Sequence, residues 1–68
     1  MIEKDHWYKV NERSRTYIFP DGSSTCVHGV TAIRVSQNHT HFLQTDGGNN
    51  HIIRNTWNHI VIDGDFID

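Results

Sequence analysis

Two short stretches, Pro20-Asp21-Gly22 and Asp46-Gly47-Gly48, constrain the fold most, because each separates two runs of β-forming residues. Proline presets the φ angle of a turn's second residue and glycine takes the left-handed conformation at no steric cost, so each stretch suits a three-residue hairpin loop. The flanks are "RTYIF" (15–19) and "STCVH" (24–28) for the first loop, "HTHFLQT" (39–45) and "NHIIRN" (50–55) for the second. No long window shows helical spacing of its apolar residues. The pattern predicts an all-β, antiparallel protein.

Three further runs read as strands: "HWYKV" (6–10), "TAIRVS" (31–36) and "HIVID" (59–63), the last ended by Gly64. Gly29 bends or bulges the chain, and "SQN" (36–38) and "NTWN" (55–58) are polar breaks. A weak internal similarity relates residues 17–35 to 43–62, each a strand, an Asp-Gly turn, a strand and a further strand. Two consecutive meanders would explain it, and about six or seven short strands favour a small antiparallel barrel or sandwich built from hairpins. An open sheet completed in an oligomer is the alternative. The whole chain, 1–68, is read as one domain, with 64–68 ("GDFID") as an acidic tail that is flexible unless docked.

A chain of 68 residues buries only about 60% of the surface its unfolded form exposes, and domains of this size usually carry a staple. Cys26 is the only cysteine, so an internal disulfide is excluded and a homodimer becomes the expected source of extra core. The segment "MIEKDHWYKV" has no continuous apolar stretch of the kind a signal peptide needs, and no apolar run is long enough to span a membrane. A reducing, cytoplasmic setting is expected. The formal charge is −2 with six Lys and Arg. So few cations argue against tight binding to a phosphate backbone.

His39, His41 and His51 surround the second hairpin turn. His39 and His41 share a strand face, and a three-residue loop would place His51 opposite Leu43 on that face, while a four-residue loop would send it to the other. Three imidazoles are a sound zinc ligand set. The spacing, however, lacks a His-Glu-x-x-His run or a cysteine pair, and the preferred reading is a hairpin with polar decoration and no cofactor. Cys26 and His28 also share a face, but a nucleophile needs a positioned third group and an oxyanion hole, neither of which can be read here. The glycine turns are not followed by a helix, as a phosphate-cradling loop would be.

What remains is aromatic and acidic. Trp7 and Trp57 are candidate anchors for a partner, the alternative for Trp57 being a lid folded over the end of a barrel. Asp63 and Asp65, with Asp68, would favour a basic partner. The leading expectation is a small non-enzymatic protein-binding module, an inhibitor or adaptor comparable in size and style with the accessory proteins of phages and mobile elements. Histidine-based binding of a metal or small ligand is the second reading, and single-stranded nucleic acid stacked on aromatics the third.

Overall fold

A computed structural model describes residues 3–67 and shows one antiparallel sheet in the order β4-β3-β2-β1-β5. The strands are β1 (Trp7–Ile18), β2 (Ser24–Val35), β3 (His41–Thr45), β4 (Asn50–Ile53) and β5 (His59–Phe66). The all-β hairpin architecture holds, but the strands number five and the sheet does not close into a barrel. The difference has a local cause. The polar run Asn11–Ser14, which lies between two of the expected strands, continues β1, and Gly29 lies within β2 without ending it. Four expected strands therefore merge into two long ones.

Bulges let those long strands carry a core. The pairing of β1 with β2 shifts between Lys9 and Glu12, that of β1 with β5 shifts between Glu12 and Ser14, and that of β2 with β3 shifts between Val30 and Ala32. Each shift leaves an extra residue on the long strand, which bends it and increases its twist. Burial along β1 falls on Val10, Glu12, Arg15 and Tyr17, and along β2 on Val27, Val30, Ile33 and Val35. The spacing of three from Glu12 to Arg15 would put them on opposite faces of a regular strand; the extra residue at Arg13 returns both to the core side. Leu43 and Ile53 complete the core from β3 and β4, and Tyr8, Phe19, Trp57 and Ile60 pack around it.

The hairpin loops are set by the residues that predict them. Phe19 N–H donates to Ser23 O (2.9 Å) and Gly22 N–H to Phe19 O (3.0 Å), with Gly22 at φ 89°. The same pair of bonds joins Thr45 to Asn49 and Gly48 to Thr45, with Gly48 at φ 82°. The β2–β3 connection repeats the design without a glycine. Ser36 N–H donates to Thr40 O (2.9 Å), His39 N–H donates to Ser36 O (3.0 Å), and His39 itself takes φ 64°. In the first loop the Asp21 carboxylate accepts from the Ser23 hydroxyl (2.6 Å) and its N–H (2.9 Å), which holds its pKa below the ordinary value.

At the far edge, β5 runs through Gly64 to Phe66, pairing Gly64 with Glu12 and Asp65 with Asn11. Gly64 does not stop the strand because a side chain there would meet Asn11 O and Glu12 Cα at 2.4 Å; only glycine lets β5 lie this close to the bulge in β1. The first residues of the expected acidic tail thus belong to the sheet, and Asp68 lies outside the described residues. Among the described residues no helix is long and apolar enough to cross a membrane.

Candidate functional site

The register decides which side chains meet. Leu43 pairs with His51, so the second hairpin has the odd-length loop that a three-histidine site requires. The three imidazoles nevertheless go separate ways. His39 occupies the left-handed position of the β2–β3 turn, outside any strand, and its Nδ1 lies 2.8 Å from Lys4 Nζ. His41 turns into the core and His51 stays exposed. Among the described residues no group of three or more His, Cys, Asp or Glu side chains is placed to hold a metal ion. Cys26 Sγ and His28 Nε2 do approach to 3.6 Å, both on the exposed surface.

His41 instead ends a buried polar chain. Arg15 Nε and Nη2 donate to the two carboxylate oxygens of Glu12, both at 2.7 Å, in a fork-to-fork pair that is buried on both sides. Arg15 Nη1 donates to Tyr17 Oη at 3.3 Å, and Tyr17 Oη lies 2.7 Å from His41 Nδ1. Since the guanidinium can only donate, Tyr17 accepts from it and its own hydroxyl proton is free to donate to His41, which must then be neutral. Burial, followed by the positive charge of Arg15 and then of His39 and Lys4, pushes the His41 pKa from 6.5 down to about 4. Burial also raises the Tyr17 hydroxyl above its ordinary value, against the opposing influence of Arg15. Trp57 closes this end of the core, with its ring 5.9 Å from that of Tyr17 and 5.3 Å from that of His41, both edge-on. It is partly buried against the core, and its Nε1 is buried without a hydrogen-bond partner.

The other face of the sheet carries a feature that only the register reveals. Trp7 pairs with Arg34, Arg34 with Phe42, and Phe42 with Ile52, so four side chains form one transverse row over β1, β2, β3 and β4. All four alternate with core residues, because Tyr8, Ile33, Leu43 and Ile53 lie beside them in sequence and point inward. Arg34 is held between aromatic neighbours, its guanidinium carbon 4.1 Å from the Phe42 ring centroid and 5.5 Å from that of Trp7. Asp5 Oδ1 lies 3.5 Å from Arg34 Nη1. Trp7 is 40% exposed and Ile52 63%. Sequence reading found Trp7 but not its companions, which follow it in the chain only at positions 34, 42 and 52.

Further along β1 on that side lies a depression of ≈ 390 Å³ lined in part by Asn11, Arg13, Asp46, Asp63, Gly64 and Asp65. Arg13 and Asp63 approach to 3.6 Å at the surface. Asp63 and Asp65, the expected acidic contacts, thus stand together with Asp46 around a single arginine, and the local balance is negative. Comparison with protein-family models, with curated proteins and with solved structures gave no match.

Proposed function

We propose that this protein is a non-enzymatic protein-binding module, an inhibitor or adaptor, that docks through the outer face of its sheet. The observation that carries this reading is the transverse row Trp7–Arg34–Phe42–Ile52. Aromatic and arginine side chains are the groups that most often dominate binding energy, and here the arginine is already held by its neighbours, so little ordering entropy opposes association. Trp7 is the anchor of this face, whereas Trp57 belongs to the core. The carboxylates of Asp46, Asp63 and Asp65 favour a basic partner and steer its approach, an effect that added salt weakens. A reducing, cytoplasmic setting suits the exposed thiol of Cys26.

One other reading has an observation in its favour. Trp7 and Phe42 beside Arg34 also suit the stacking of unpaired bases. Asp5, beside Arg34 in the row, and a net charge of −2 weigh against it. The experiment that separates the two is affinity capture from a native lysate with and without nuclease. The proposal expects a specific protein that survives nuclease treatment and is lost with Trp7→Ala. Retention that depends on nucleic acid and falls steeply with salt would replace it by the stacking reading.

A further inference from the structure

Of the two edge strands, β4 and β5, the second is the longer, eight residues against four. Among the described residues it pairs with β1 on one side only and makes no contact with β4, and no other described strand pairs with its outer row of backbone donors and acceptors. Ile60, Ile62 and Phe66 lie opposite Tyr17, Arg15 and Val10, all buried, and therefore face the core side of the sheet. Yet Ile62 is 48% and Phe66 57% exposed. The core reaches Ile60 but leaves the rest of its last strand uncovered. An edge with free hydrogen-bonding groups and inward-facing apolar residues is a template for another strand.

We propose that this edge is a homodimer interface in which two copies of β5 pair antiparallel about a two-fold axis at Ile62, joining the two sheets into one. Charge selects the register. In a two-fold pair, centring on Asp63 or Asp65 sets that carboxylate against itself, and centring on Gly64 sets Asp63 against Asp65; like charges directly opposite one another are destabilising. Centring on Ile62 instead sets Asp65 opposite His59 of the partner subunit and Asp63 opposite the partner's Val61. It also stacks Ile62 on its symmetry mate on the core side and places Ile60 opposite the partner's Gly64, where no side chain competes for space. Centring on Val61 gives fewer paired residues of β5. The second copy satisfies the edge and extends a core that 68 residues leave thin. The inference does not rest on the docking row, which runs from β4 to β1; the two share only the β5 carboxylates Asp63 and Asp65, which steer a partner at a distance in one and set the register in the other.

The test combines assembly with register. Sedimentation equilibrium of the wild-type chain is expected to show a dimer at micromolar concentration, and Ile62→Lys, which sets two ammonium groups across the axis, to weaken it at least tenfold while leaving the far-ultraviolet spectrum unchanged. In a Cys26→Ser background, Ile62→Cys should form a disulfide-linked dimer under mild oxidant well ahead of Val61→Cys and Asp63→Cys, because only a residue on the axis meets its own copy. A monomer throughout the micromolar range overturns the proposal. So does a dimer indifferent to Ile62→Lys, and so does cross-linking that is no faster at Ile62 than at its neighbours.

Discussion

Lowering the pH should destabilise this protein through His41 in particular. In the native state the half-buried imidazole accepts from Tyr17, and burial, followed by the nearby charge of Arg15, drops its pKa to about 4 from the 6.5 of an unperturbed histidine. Between those values the unfolded chain binds a proton that the native state does not, so stability falls as pH falls from above 6.5 and levels off below about 4. At ~1.36 kcal/mol per pKa unit the full difference corresponds to roughly 3 kcal/mol, a ceiling that partial solvent screening of a half-buried ring reduces to about 1–3 kcal/mol. The control is His41→Gln, whose amide oxygen keeps an acceptor for the Tyr17 hydroxyl but does not titrate. Urea unfolding of both proteins at several pH values from about 7.5 to 4 isolates the effect. The wild type should lose about 1–3 kcal/mol relative to the variant over that span. Parallel profiles would show that the imidazole is not held neutral by the Arg15–Tyr17 chain.

Two further outcomes follow from the bulge in β1. Glu12→Ala leaves the buried Arg15 guanidinium without its carboxylate and should cost about 3–5 kcal/mol, most of what a domain this small possesses, whereas Glu12→Leu combined with Arg15→Met should recover much of it; denaturant midpoints measure both. Gly64→Ala drives a methyl group into Asn11 O and Glu12 Cα, 2.4 Å away, and should displace the C-terminal half of β5. Rapid amide hydrogen exchange over residues 64–67 would show this, and protection equal to the wild type would refute the close approach.

The parts of the fold that were legible in the sequence are those set by short-range backbone chemistry. Pro20-Asp21-Gly22 and Asp46-Gly47-Gly48 announce their loops because only certain residues take the left-handed conformation that such loops need. The third loop showed only as the polar break "SQN" (36–38), and its turn type stayed hidden because His39 holds the left-handed position and histidine gives no turn signal. Glu12 and Arg15 were not recognisable as core. The charged run "NERS" lies between two apolar-rich stretches, and nothing local distinguishes a strand that ends from one that bulges and buries an ion pair. The outer row fell between these cases. Trp7 stands out by type, but Arg34, Phe42 and Ile52 join it only once three registers are known, and register depends on loop length and on which face is buried. The histidines show the converse: the loop length that would gather them is present, but His39 leaves the strand and His41 finds Tyr17.

The docking role of the outer face is tested most directly at Trp7, which is 40% exposed and packs on Arg34 rather than on the core. With the captured partner in hand, calorimetric titration of the wild type, Trp7→Ala and Ile52→Ala gives the affinities, and thermal unfolding shows whether each variant keeps the fold. Trp7→Ala is predicted to lose about 2 kcal/mol or more of binding energy, roughly thirtyfold in Kd, with the fold intact. Unchanged affinity in two folded variants would remove the row from the interface and contradict the account.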